Sequence, residues 1–303
     1  LILDESISKK RFGCSGRASG VTAASAAEAL RMTIGAGEAG PGRELALRLM
    51  SAAVLIPFGL WAVWSGGWYL AAGAMLAAFA MGYEWGRMTG SRLTWAIAGV
   101  AALLNGLYPL YPQYASLALL VCAIAVFLFE TGRSGRPAAG FGMVYIAGMP
   151  MAFQALRAFD GGIGWALAMG TMLVVWASDS AAYFTGRAFG GPQIAPKYSP
   201  NKTWSGALGA TLASIAAAAA FGVVISKSPW AWALWGGFVT VAAQAGDLFE
   251  SEIKRRYGVK DASGLVPGHG GVLDRVDGLG AACVAAIAVL SAAPAIGVEL
   301  GGA

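Results

Sequence analysis

Nine long apolar runs divide this chain, at 47–65, 68–84, 93–110, 114–130, 139–156, 163–185, 205–225, 230–248 and 276–297. A helix that crosses roughly 30 Å of hydrocarbon needs about 20 mostly apolar residues, slightly fewer where its ends snorkel. In lipid the backbone must satisfy its own hydrogen bonds, and runs of this length do so as helices. Soluble helices would carry polar faces at helical spacing, which these runs almost wholly lack. The expected fold class is therefore all-α, a polytopic integral membrane protein with about nine transmembrane helices. Only 12% of its 303 residues are charged.

The cationic residues orient such a chain. With the N-terminus cytoplasmic, the loops on that side hold Arg87, Arg92, Arg133, Arg136, Arg187, Lys197 and Lys202, then Lys254, Arg255, Arg256, Lys260 and Arg275. The opposite side holds Arg157 and Lys227, a split of 12 against 2 that an even helix number would scramble. The expected location is the inner (cytoplasmic) membrane, multi-pass, with the functional loops 186–204 and 249–275 facing the cytoplasm. The net charge of +5 follows from this bias and calls for no nucleic-acid partner. Cys14, Cys122 and Cys283 form no CxxC pair and imply neither a disulfide framework nor a zinc site. Residues 1–43 lack a long apolar stretch and read as a disordered tail or a non-native extension, with Met32 as an alternative start. Residues 44–303 form the membrane domain.

Against this background the ionic groups are conspicuous. Asp179 lies inside an apolar run, where a lone ionised carboxylate costs about 2.5–3.5 kcal/mol and needs a partner, a cation or water. A protonated Asp179 in an interhelical hydrogen bond is the structural alternative. Asp247 and Glu250 share one face at a helix C-terminus, where the macrodipole opposes them and a metal ion or Lys254 would compensate. Asp274 and Asp277 open the last helix, where plain N-terminal capping is the simpler role. Asp247 and Asp274 end and begin consecutive helices at one membrane face, so their carboxylates can converge. Converging carboxylates with no His or Cys partner suit a hard cation, Mg²⁺ or Mn²⁺, which completes its shell with water and substrate phosphate.

Donors for such phosphates are present. The loop Pro196–Gly206 offers Lys197 and Lys202 as point charges and Ser199, Asn201 and Thr203 as neutral donors, on a chain stiffened by Pro196 and Pro200. A positive-inside anchor explains its lysines equally well. The segment Ser251–Asp277 adds Lys254, Arg255, Arg256, Lys260 and Arg275, together with the chain's single histidine, His269, set among glycines. Such a backbone bends tightly around an anion, and His269 reads as a phosphate donor or proton carrier.

The pattern S-x-I-K-R-x4-K-D-x-S-x2-V-P-x-H-G-G-V-x-D-R-V-D over Ser251–Asp277 closely resembles the signature of phosphatidate cytidylyltransferase, also called CDP-diacylglycerol synthase. Asp179–Gly190 (D-S-A-A-Y-F-x-G-R-x-F-G) and Pro196–Trp204 (P-K-Y-S-P-N-K-T-W) resemble two further blocks of that family, in family order. Together they lie within about the last 130 residues. Ser205 stands where the family often carries Glu or Gln, and Val266 is a mild apolar variant; neither removes a charged candidate.

The resemblance implies the reaction CTP + phosphatidate → CDP-diacylglycerol + pyrophosphate at a lipid bilayer. It implies Asp247 and Asp274 as metal-holding carboxylates, with Asp179, Glu250 and Asp277 in support. Lys197, Lys202, Lys254, Arg255 and Lys260 would hold the triphosphate and the lipid phosphate, alongside Ser199, Asn201 and Arg275. The candidates for the chemical step are Asp247, Asp274, Lys202, Lys260 and His269. A divalent metal is implied, and a monovalent cation and a homodimer are left open. The competing readings are a lipid-alcohol kinase, a cytidylyltransferase for another lipid phosphate, and an ion-coupled transporter. No internal repeat favours the last of these.

Overall fold

In a computed structural model of the chain, the described residues are 53, 56–133, 135–159, 162–265 and 270–292. The expectations for residues 1–43 and for His269 lie outside them. Among the described residues the helices are α1 (Ile56–Ser65), α2 (Gly67–Thr89), α3 (Thr94–Gly106), α4 (Ala115–Phe129), α5 (Arg136–Arg157), α6 (Gly164–Phe189), α7 (Trp204–Val224), α8 (Pro229–Arg256) and α9 (Leu273–Ala292). Each coincides with one apolar run. The fold is that of a helical membrane protein.

Among the described residues, four stretches are long and apolar enough to cross a membrane: Pro112–Phe129, Arg136–Arg157, Trp204–Val224 and Leu273–Ala292. Large apolar side chains point outward over much of the surface, among them Trp95, Phe129, Leu212 and Trp230. In water such a surface would aggregate, whereas lipid is its natural solvent.

The structure departs from the sequence expectation in three places. The run 93–110 forms a helix of only 13 residues, which at 1.5 Å per residue is about 20 Å long. Pro109 and Pro112 lack amide donors and disfavour helical geometry in the residue before them. The chain therefore turns through two 3₁₀ segments, Tyr108–Leu110 and Pro112–Tyr114. The expected loop 186–204 instead contains an antiparallel hairpin, β1 (Gln193–Ala195) and β2 (Ser199–Thr203), in an otherwise helical fold. The expected loop 249–275 is shorter, because α8 continues to Arg256. Pairs at i,i+4, Glu250–Lys254 and Glu252–Arg256, line that extension. Three cations in its last turn also suit the negative end of the helix dipole.

Among the described residues three apolar clusters hold the helices together, the smallest of them Val63, Leu70, Ala168 and Met172 of α1, α2 and α6. Met81, Trp85, Ile97, Met143 and Ile146 join α2, α3 and α5. Leu156, Val174, Trp232, Val239 and Cys283 join α5, α6, α8 and α9. The close contact that matters most to the site is between α8 and α9, where a Cβ placed on Gly246 would lie 2.2 Å from the Ala281 Cβ. Gly246 thus lets Asp247 and Asp277 approach. Gly246→Ala is expected to destabilise the protein by about 1–3 kcal/mol through overpacking, despite alanine's better helix propensity. Thermal unfolding of this variant and of Gly246→Ala/Ala281→Gly tests it: the second change should restore stability.

Candidate active site

The site forms where the C-terminal ends of α6 and α8 and the N-terminal end of α9 meet the hairpin. Thr203 ends β2 and caps α7, its Oγ1 accepting from the Gly206 amide at 3.2 Å. Ser205 donates to the Gly190 carbonyl and so ties the base of the hairpin to the end of α6. One residue before the cap, Lys202 turns towards α8 and forms an ion pair with Asp247.

A cleft of about 820 Å³ opens beside this pair, lined by Asp179, Asn201, Lys202, Asp247, Asp274, Arg275 and Asp277. Asp179, Asp247 and Asp277 lie within electrostatic range of one another, and Lys202 bears on both Asp179 and Asp277. The same cleft also has apolar lining, with Ile56, Met172, Val175 and Trp176 from α1 and α6. One cavity thus joins a charged floor to a lipid-compatible side.

A second cleft of about 270 Å³ lies between the hairpin and the end of α8, lined by Ser199, Asn201, Lys254, Arg255, Lys260 and Asp261 among others. Arg255 is held there by its Nε–H, which donates to the Tyr198 carbonyl at 3.2 Å. Asn201 lines both clefts. Lys254 lines the smaller one and donates to Asp274, which lines the larger, at 2.7 Å.

Beneath the clefts the charges form a buried chain. The Lys254 ammonium lies 3.2 Å from Glu250 and 2.7 Å from Asp274. Lys254 sits beyond the apolar run 230–248. Burial alone would lower its pKa, but Glu250 and Asp274 outweigh burial and hold it above the ordinary lysine value. Asp274 also accepts from the Ala262 amide at 3.0 Å and the Gly271 amide at 3.0 Å. It therefore anchors the connector 257–272 at both ends while facing the cleft.

Most of the expected site residues converge. Two do not line either cleft. Glu250 is fully buried and serves as countercharge to Lys254, so it does not stand where a metal ligand would meet substrate. Lys197 is not among the lining residues, and its ammonium lies 5.3 Å from the ring centroid of Tyr198, which lines the smaller cleft. One participant was missed altogether: Glu84 of α2, fully buried, which accepts from the Ser263 hydroxyl at 2.5 Å and from the Val272 and Leu273 amides at 2.8 Å. The only hint in the sequence is a carboxylate at the end of the run 68–84.

The donor chemistry fits a hard divalent cation. Asp247 and Asp274 offer oxygen ligands to the same cleft, and each now carries a lysine as countercharge, Lys202 and Lys254 respectively. Among the described residues no group of three or more acidic, His or Cys side chains could cage an ion unaided.

Residues 46–293 match the sequence model of the cytidylyltransferase family. A phosphatidate cytidylyltransferase of Brucella suis biovar 1 (strain 1330) is 37% identical over 252 residues, which cover 79% of this chain and 90% of the relative. That of Pseudomonas aeruginosa PAO1 is 39% identical over 273 residues, covering 81% and 97%. A shorter match to that of Haemophilus influenzae Rd is 47% identical over 116 residues, 36% of this chain and 40% of the relative. The family match runs through every helix and both clefts, and the long matches are to proteins of one named activity: the chain belongs to the cytidylyltransferase family, alongside the phosphatidate cytidylyltransferases.

Proposed function

We propose that this protein transfers the cytidylyl group of CTP to phosphatidate, giving CDP-diacylglycerol and pyrophosphate. The observation that carries the reading is the larger cleft, where a floor of carboxylates, Lys202 and Arg275 adjoins an apolar wall reaching α1. A lipid phosphate needs both surfaces at once: a charged seat for its headgroup and an apolar side for its chains.

A lipid phosphate oxygen attacks the α-phosphorus of CTP. A new P–O bond forms, the bond between the α-phosphorus and the bridging oxygen breaks, and that oxygen leaves with pyrophosphate. The nucleophile is already anionic, so no strong general base is required, and alignment with charge neutralisation supplies most of the rate. Lys202 and Arg275 hold the lipid phosphate in the larger cleft. Lys254, Arg255 and Lys260, with Ser199 and Asn201, hold the triphosphate in the smaller one. Asp247 and Asp274, with Asp179 and Asp277 near by, would hold Mg²⁺ or Mn²⁺, which would supply positive charge to the phosphate oxygens and the leaving pyrophosphate. A monovalent cation beside it, a role for His269 as proton carrier and a homodimeric assembly belong to the same proposal.

The same reading places nine crossings in the inner membrane with the N-terminus and both clefts cytoplasmic. The distribution of 12 cationic residues against 2 supports it. The location suits the reaction, since a soluble nucleotide must meet a lipid headgroup at the membrane surface.

Purified protein in detergent, given CTP, phosphatidate and Mg²⁺, is expected to release pyrophosphate and CDP-lipid in equal amounts. Folded protein that yields neither would overturn the reading. Pyrophosphate release with a different lipid phosphate alone would reassign the acceptor.

A further inference from the structure

The mechanism leaves Glu84 without a part, although it is a fully buried carboxylate on an apolar helix far from the other site residues in sequence. Such a group is expensive to keep unless it is fully hydrogen-bonded, and Glu84 is. All three of its partners belong to the connector 257–272 or the start of α9: the Ser263 hydroxyl and the Val272 and Leu273 amides. The last two are among the orphan donors at the N-terminus of α9, where the helix dipole also favours an anion.

Asp274 uses the adjoining donors of the same turn. It accepts from Gly271 at 3.0 Å, and a Cβ placed on Gly271 would lie 3.0 Å from Glu84 Oε1 and 3.1 Å from Asp274 Oδ2. The two carboxylates therefore share one backbone turn, Glu84 binding it from a separate helix and Asp274 from within α9. From this juxtaposition we infer that Glu84 is a positioning residue for the active site. By fixing the turn 271–273 against α2, it sets the direction in which Asp274 faces the cleft. It also holds Ser263 next to Ala262, whose amide is bound to Asp274. This inference rests on the proposed cytidylyl transfer.

The test is Glu84→Gln, which keeps the shape but replaces one acceptor with a donor facing amide donors. Outer partners of this kind typically affect activity or metal affinity by about 10- to 100-fold. The expected result is a fall in kcat of about 10- to 100-fold with KM for CTP little changed. The thermal stabilisation given by CTP with Mg²⁺ should shrink as well. Glu84→Gln added to Asp274→Asn should cause no further loss of kcat, because both act through one group. Full multiplication of the two losses would overturn the inference. So would wild-type kcat in the folded fraction of Glu84→Gln, whatever its melting temperature. Where Glu84→Gln does not fold, Ser263→Ala removes one of the three donors and is held to the same criteria. A wild-type protein that makes no CDP-lipid would sink the proposed function itself, an outcome distinct from failure of the Glu84 cycle.

Discussion

Asp247→Asn will lower kcat by about 10²-fold or more and leave the fold nearly as stable as before. The two halves of that statement have different origins. Asp247 is 40% exposed at its side chain, so the carboxylate side of the pair faces the cleft and its solvent, while the Lys202 ammonium that it pairs with is buried. Ion pairs in such settings contribute about 0–1 kcal/mol to stability. The amide would keep the shape and one acceptor oxygen, and the α8–α9 contact at Gly246 would be untouched. What disappears is the negative charge opposite Lys202, and with it a ligand for a divalent ion. Lys202 would then be an uncompensated cation drawn onto substrate phosphate, which can tighten binding while turnover falls. Measuring kcat and KM across a Mg²⁺ titration, with a thermal melt of the same preparation, separates these effects. Near-wild-type turnover would make Asp247 a mere counterion of Lys202. Lys202→Ala is the companion variant and should act mainly on KM for CTP or for the lipid, since its cation binds ground state and transition state alike.

How far the sequence could be read depended on the range of the interaction. The apolar runs are local, and each coincides with a helix because a long apolar segment has few other ways to satisfy its backbone. Asp179, Lys202, Asp247, Asp274 and Arg275 were legible because ionic groups are costly in an apolar chain, and they do line one cleft. The break after Gly106 was only half legible. Pro109 and Pro112 mark a turn, but where the helix stops depends on the whole 3₁₀ passage. The extension of α8 to Arg256 went unread because a dense run of charges looks like a loop, whereas i,i+4 pairing lets the same charges continue the helix. Glu84 was out of reach for a stronger reason. Its partners lie 179 to 189 positions away, and nothing in the sequence around it signals a contact that only the packing of α2 against α9 creates.

Asp274→Asn should lose activity as Asp247→Asn does, a fall in kcat of about 10²-fold or more, and should lose stability as well. Its side chain is 8% exposed and its partner Lys254 11%, so this pair is buried where Asp247 is not. Asparagine offers one carbonyl oxygen and an amine, yet three donors point at the present carboxylate: the Lys254 ammonium and the Ala262 and Gly271 amides. At least one donor would then face another donor. Lys254 would be left with Glu250 alone, and breaking a buried pair by removing one partner typically costs about 3–5 kcal/mol. The connector 257–272 would lose its attachment to α9 in the same step. A lowered melting temperature together with lowered kcat in the folded fraction is therefore the expected signature. A melt shift with full turnover would reduce Asp274 to a cap of α9 and leave the metal to Asp247 and its neighbours. Lost turnover with an unchanged melt would mean that its bonds to Lys254 and the connector contribute little, so that the carboxylate serves the cleft alone. The contrast between two aspartates that line one cavity, one exposed and one buried, is what separates chemistry from architecture in this site.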